Sequence, residues 1–131
     1  MLERCLILVT NSKKLMSLPA TSLQLWNNLF QLKSRDAIVQ RVYQQLANDF
    51  SLTGNAIPFT IELPTEQWSI QLANWLENQH ATTIQQLLYI IDLPENFVQN
   101  LEASTHYNEQ LAEAIIYREM TKVYYKITYS S

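Results

Sequence analysis

Glycine is almost absent from this sequence: Gly54 is the single glycine among 131 residues. An average protein contains ~7% glycine. Strand-rich folds place glycine in tight turns, where the backbone needs a positive φ, whereas helix interiors exclude it on grounds of conformational entropy. The hydrophobic content of 47% and the charged content of 16% are typical of a globular chain with a packed core. The composition therefore favours an all-α fold.

Apolar residues recur at helical spacing near the beginning of the chain. Thr21 and Gln24 form a capping-box pattern, which predicts a helix through about Leu32 with leucines facing inward. Ser34 is the predicted N-cap of a second helix. The apolar residues of this helix recur every four positions: Ile38, Val42, Leu46 and Phe50. Gly54 follows them, at the place where a helix stop is expected.

The second half of the chain predicts four further helices. Their predicted N-terminal residues are Thr65, Thr82 (paired with Gln85), Asp92 and His106. The last helix runs toward Tyr125, although 122–129 also alternates like a strand. Residues 2–9 fit either a short helix or a strand.

The segment 57–64 is the exception to the helical pattern. It is bounded by prolines and its apolar residues alternate: Phe59, Ile61 and Leu63. A strand needs a partner, so we predict an extended linker packed on the helices. The length fits one domain. The prediction is a single helical domain over 1–131, a compact bundle of five or six helices.

Positive charge is missing from the middle of the chain. No lysine or arginine occurs between Val42 and Tyr117, a stretch whose nine carboxylates give it a local charge of −9. Residues 1–41 carry +4 and residues 118–131 carry +2, which gives the net charge of −3. A surface of one sign repels polyanions. The middle of the protein is therefore poorly suited to phosphate backbones, and its ends suit an acidic partner.

Residues 83–101 resemble the helix-turn-helix of bacterial DNA-binding regulators, because Ile84, Leu87, Val98 and other apolar residues fall at about the motif's spacing. The sequence departs from that family at Asp92, which stands at the turn glycine, and at Leu88, which replaces a small residue. The recognition helix that the resemblance implies offers Asn96, Gln99 and Asn100 to adenine edges. It has no basic residue to bind phosphate. We therefore expect an ordinary helical hairpin.

No arrangement of residues predicts catalysis, a metal or a cofactor. His106, Glu109 and Glu113 share one helical face, but that face lies opposite Ile115 and is expected to be solvated. Cys5 lies in an apolar run, where a cysteine is usually a small buried residue. With one cysteine the chain has no internal disulfide, which favours a reducing compartment. No stretch approaches the ~20 apolar residues of a membrane helix.

Tyrosine and lysine crowd the end of the chain, a composition typical of protein interfaces. The predicted contact residues are Tyr117, Tyr124, Tyr125, Lys122 and Lys126. We expect a non-enzymatic interaction protein, bacterial and cytoplasmic, whose partner at this helix is either another protein or a second copy in a homodimer. The alternative is a DNA-associated regulator that uses the basic N-terminal third: Lys13, Lys14, Lys33, Arg35 and Arg41.

Overall fold

The computed structural model describes residues 21–93, 98–99, 101 and 106–129. In this part of the chain five α-helices form the fold, with no strand. They are α1 (Ser22–Leu32), α2 (Arg35–Leu52), α3 (Trp68–Glu77), α4 (Ala81–Ile91) and α5 (Tyr107–Tyr129). The all-α prediction is confirmed. The prediction for 2–9 lies outside the described residues.

The centre of the bundle is α5. It packs most extensively against α3 and also contacts α1, α2 and α4. Its middle is buried on nearly every side: Leu111, Ala112, Ala114, Ile115, Ile116, Tyr117, Glu119, Met120, Thr121 and Val123. A helix surrounded in this way has no wide solvent face over that length. The ambiguous segment 122–129 is helical.

The predicted starts of α1 and α2 are confirmed in atomic detail. The Gln24 amide donates to Thr21 Oγ1 at 3.2 Å, and the Ala37 amide donates to Ser34 Oγ at 3.3 Å. The four apolar residues spaced along α2 are all fully buried. Gly54 has a φ of 78° and follows α2 directly, as the C-terminal stop should. Leu32 differs from the prediction, because it is 41% exposed at the end of α1.

Two predicted N-caps are wrong. Thr65 opens a short 3-10 helix, Thr65–Gln67, and its hydroxyl donates to Glu66 Oε1 at 3.0 Å instead of capping. The reason is Pro64, whose carbonyl accepts from the Gln67 amide at 2.9 Å and tightens this turn. The N-cap predicted at Thr82 lies two residues earlier, at His80, whose side chain makes no capping hydrogen bond.

The linker 57–64 packs on the helices as predicted, but it is not extended throughout. Phe59 is buried, and its ring lies 5.3 Å from that of Trp68. The Leu63 amide donates to the Thr60 carbonyl at 3.1 Å, so a turn interrupts the segment. The same aromatic contact explains why Trp68 is fully buried in the core.

The end of α4 corrects a further prediction. Asp92, expected to begin the next helix, is the C-cap of α4 and has left-handed φ and ψ angles of 70° and 52°. Aspartate tolerates this conformation better than most residues. Of the hairpin's second helix, the described residues 98, 99 and 101 are helical. No helix within the described ranges is long and apolar enough to cross a membrane.

Candidate functional site on the C-terminal helix

The predicted contact residues run from the middle of α5 toward its C-terminal end, but they do not share one surface. Tyr117 is only 4% exposed and belongs to the core. Tyr117 is buried because α5 is the central helix and its middle is enclosed on nearly every side.

Tyr124 and Tyr125 are half-buried and form an aromatic cluster at the end of α5. Their rings meet edge to face at 5.6 Å. Tyr129, one turn later, stacks on Tyr125 at 5.5 Å with an interplanar angle of 16°. Tyr129 is 53% exposed. We call Tyr124, Tyr125 and Tyr129 the tyrosine end; it presents aromatic area to solvent.

The hydroxyl of Tyr125 is buried, and within the described residues it has no hydrogen-bond partner. Burial, reinforced by the neighbouring Tyr129 and Tyr124, raises the pKa of Tyr125 to about 12. Tyr125 is therefore a neutral ring at any physiological pH. Its contribution to a contact is area and shape, not charge.

The two predicted lysines reach from α5 to α2 of the same molecule. Lys122 Nζ lies 2.7 Å from Asp49 Oδ2 and 3.0 Å from Glu119 Oε1. Lys126 Nζ donates to Gln45 Oε1 at 2.6 Å. Lys122 thus belongs to an internal ion pair, whereas Lys126 is exposed beside the tyrosine end.

Glu119 is the residue that the sequence prediction missed. It is fully buried, and neither carboxyl oxygen has a hydrogen-bond partner among the described residues. Lys122 Nζ lies near Glu119 Oε1 but makes no hydrogen bond to it. Burial, followed by the contact with the Asp49 carboxylate, raises the pKa of Glu119 from 4.5 to about 9, and Lys122 offsets part of this. Glu119 is protonated at neutral pH.

A signal for Glu119 was present in the sequence. It falls four residues after Ile115 and four before Val123, within the apolar stripe of the predicted helix. A carboxylate at such a position predicts either a buried partner or a shifted pKa. With Asp49 and Lys122 it forms a group that we call the buried trio, which joins α2 to α5.

The buried trio has the form of a helix–helix contact. A groove of about 180 Å³ lies between α2 and α5, but Glu119 does not line it. The groove residues are Arg41, Gln44, Gln45, Asn48, Val123 and Lys126. Catalysis by paired carboxyl groups needs a shaped cavity that admits substrate to them. This groove does not give a substrate access to the Glu119 carboxyl, because Glu119 does not line it.

The histidine–carboxylate face predicted to be solvated is exposed. His106 Nδ1 lies 3.2 Å from Glu109 Oε1, and both side chains are about 70% exposed. Glu113 accepts a hydrogen bond from Ser22 Oγ at 3.1 Å. Over the described ranges, no three histidine, cysteine or carboxylate side chains are grouped so that they could hold a metal ion.

The hairpin that resembles a helix-turn-helix gains one cation from outside its own sequence. Arg118 of α5 lies 3.1 Å from Asp92 Oδ2, so the guanidinium neutralises the turn. Gln99 is exposed, whereas Asn96 and Asn100 lie outside the described residues.

Comparison with known proteins identifies no relative of this chain. The chain matches no protein-family model, no curated protein and no solved structure.

Proposed function

We propose that the protein is a non-enzymatic protein-interaction module that associates with a second copy through the end of its C-terminal helix. The observation that carries the proposal is the tyrosine end, where Tyr124 meets Tyr125 edge to face and Tyr125 stacks on the half-exposed Tyr129. Tyrosine gives a large contact area at low cost in side-chain entropy and is enriched at interfaces.

Charge favours a second copy as the partner. Within the segment 118–131, Arg118 and Lys122 pair with Asp92 and Asp49 of the same molecule, and Lys126 is the cation beside the tyrosine end. The segment 42–117 carries −9. Contact between the end of one copy and the acidic middle of another is attractive, and a two-fold dimer makes that contact twice. Tyr117 is buried in the core, and Lys122 pairs with Asp49 of the same molecule. The proposed contact therefore consists of the tyrosine end and Lys126.

Light scattering over a concentration series tests this proposal. Tyr124→Ser and Tyr129→Ser should shift the monomer–dimer midpoint to higher concentration while the far-UV spectrum stays helical. Leu23→Ser is the matched control, since Leu23 is 71% exposed on α1, another part of the surface. A wild-type chain that remains monomeric at high concentration contradicts the proposal.

A DNA-associated regulator is the second candidate, and the conformation of Asp92 favours it. The left-handed angles of Asp92 occur at the position where the helix-turn-helix has its turn glycine. Charge opposes this reading, since phosphate binding depends on lysine and arginine. We expect duplex DNA to bind weakly or not at all near physiological salt in a fluorescence-anisotropy titration. Tight binding that is lost on changing Asn96, Gln99 and Asn100 to alanine would favour the regulator instead.

A further inference from the structure

The groove of about 180 Å³ between α2 and α5 is positively charged. We call it the α2–α5 groove. It is lined by two cations, three amides and one valine: Arg41, Lys126, Gln44, Gln45, Asn48 and Val123. No carboxylate is among the described residues that line it. The two cations give the groove a charge of +2 in a protein whose net charge is −3.

The two cations come from different helices and flank the same amide. Arg41 and Gln45 stand one turn apart on α2, so their side chains are neighbours. Lys126, from α5, donates to Gln45 Oε1 at 2.6 Å. Two like charges in one groove repel each other, and an anion between them removes this repulsion.

The other cations of α5 are placed differently. Arg118 and Lys122 each lie within 3.1 Å of an aspartate oxygen. Arg41 forms no ion pair with any carboxylate that the structure describes. Its guanidinium therefore keeps its five N–H donors for a ligand in the groove.

The amides of the groove add further donors. Gln45 Oε1 accepts from Lys126, and Asn48 Oδ1 accepts from Gln44 Nε2 at 2.9 Å. Both of these amide oxygens are thus already bonded within the groove, whereas the NH₂ groups of Gln45 and Asn48 are donors. A positive groove that is rich in N–H donors suits a ligand whose oxygen atoms only accept.

We propose that the α2–α5 groove binds one oxyanion group, a phosphate or a carboxylate. Arginine matches both groups with paired N–H donors, and lysine adds a second positive charge. Pockets for drug-sized ligands measure about 300–1,000 Å³. The smaller α2–α5 groove therefore admits a single group.

Charge around the groove disfavours a polyanion. A long polyanion extends beyond the groove over the segment 42–117, which carries −9, and is repelled there. The oxyanion then comes from one of two sources, a free small anion or a carboxylate side chain of a polypeptide. This inference goes beyond the proposed function, because it concerns ligand binding and not self-association.

Titration with inorganic phosphate at low salt, followed by NMR of the side-chain amide signals, tests the site. We expect saturable shifts at Gln44, Gln45 and Asn48, with a dissociation constant on the order of 1 mM. Arg41→Gln should weaken binding about tenfold, because it removes the paired donors and their charge. Arg41→Lys, which keeps the charge, should weaken binding less.

The control for net charge is Lys33→Gln. Lys33 is exposed and does not line the groove, so this variant removes the same charge elsewhere and should bind phosphate like the wild type. Equal weakening in Lys33→Gln and Arg41→Gln would overturn the site, and so would shifts that do not saturate. Far-UV spectra of all variants should remain helical, since the substituted side chains are exposed.

A tetraglutamate peptide with an amidated C-terminus distinguishes the two sources. If the peptide displaces phosphate, the groove accepts carboxylates from a polypeptide; if it does not, the ligand is a free anion.

Tyr129→Ser separates this inference from the proposed function, because Tyr129 does not line the groove. This variant should bind phosphate like the wild type even where it dissociates the dimer. A chain that binds phosphate but stays monomeric contradicts the proposed function alone, and a dimer that binds no phosphate overturns the oxyanion site alone.

Discussion

Two internal contacts of this molecule bury polar groups, and they differ in how those groups are hydrogen-bonded. One contact is the aromatic cluster of Trp26, Tyr43, Phe59 and Trp68. There, within the described residues, two side chains donate hydrogen bonds to backbone carbonyls. Trp68 Nε1 donates to the Leu63 carbonyl at 2.9 Å, and the Tyr43 hydroxyl donates to the Phe59 carbonyl at 2.8 Å. In the buried trio, the Glu119 oxygens accept no hydrogen bond from a described residue.

The comparison shows how the linker 57–64 contributes to the fold. It supplies the carbonyl acceptors that let a tryptophan and a tyrosine enter the core without an unsatisfied donor. Among the residues that the structure describes, no side chain of the trio bonds to a backbone group, and the trio relies on one lysine near two carboxyl groups. The contribution of the trio to stability therefore depends on the protonation of its carboxyl groups, whereas the hydrogen bonds of Trp68 and Tyr43 involve no carboxyl group.

Removing the Trp68 side chain should give the largest loss of stability. Trp68→Ala deletes a fully buried ring that contacts Trp26, Tyr43 and Phe59, so the free energy of unfolding should fall by about 3–5 kcal/mol in urea denaturation. The control is Trp75→Ala, whose half-buried ring packs on Phe50 and should cost less. Equal losses would mean that the linker cluster is not the stronger contact.

Lys122→Met should be the next most damaging change. It leaves the Asp49 carboxylate, 9% exposed, without its cation, and we expect a loss of about 2–3 kcal/mol near neutral pH. Lys126→Met, which removes a bond to the exposed amide of Gln45, should cost less than about 1 kcal/mol. Adding Asp49→Asn to Lys122→Met should recover part of the loss; additive losses in the double variant would contradict the ion-pair account.

Glu119→Gln should change the pH dependence of stability. The unfolded chain releases the Glu119 proton near pH 4.5 and the folded protein near pH 9, so the folded state binds more protons between these values. The free energy of unfolding therefore falls as pH rises through this window. At pH 7 this fall in the free energy of unfolding reaches on the order of 3 kcal/mol.

The glutamine variant cannot ionise, so its stability should decline less from pH 5 to pH 8.5, as measured by urea denaturation at each pH. Glu109→Gln is the matched control on the same helix, because Glu109 is exposed. Parallel pH profiles for wild type and Glu119→Gln would show that the Glu119 carboxyl does not hold its proton.

The smallest expected effect is at Asp92. Asp92→Asn keeps a residue that tolerates left-handed angles and removes only the ion pair with Arg118, in which the aspartate is 81% exposed. We expect a loss below about 1 kcal/mol by thermal unfolding. Asp92→Ala should cost more, because alanine does not adopt a φ of 70° without strain. An alanine variant as stable as the asparagine variant would contradict this.

The sequence predicted the helices well because their signals are local. The caps at Thr21 and Ser34, the four-residue spacing along α2 and the stop at Gly54 each depend on a few neighbouring residues. The errors at Thr65 and Thr82 are also local, since the 3-10 turn after Pro64 and the extended backbone of His80 set each start.

The site was harder to predict because burial on α5 depends on how many helices surround it. Periodicity identified one apolar stripe, but contacts with four other helices bury Tyr117 as well. The same enclosure places Glu119 opposite Asp49 of α2, a pairing across seventy residues that no local pattern encodes. The tyrosine end could be anticipated from composition alone, although its stacking could not.

The central position of α5 also has a consequence for biosynthesis. The ribosome synthesises α1, α2, α3 and α4 before α5, the helix that all four contact. Until α5 emerges, the inward faces of α1 and α3 lack their main partner, and apolar residues such as Leu29 and Leu72 stay accessible to chaperones. The first four helices should therefore remain open until α5 has been synthesised and close when it inserts between them.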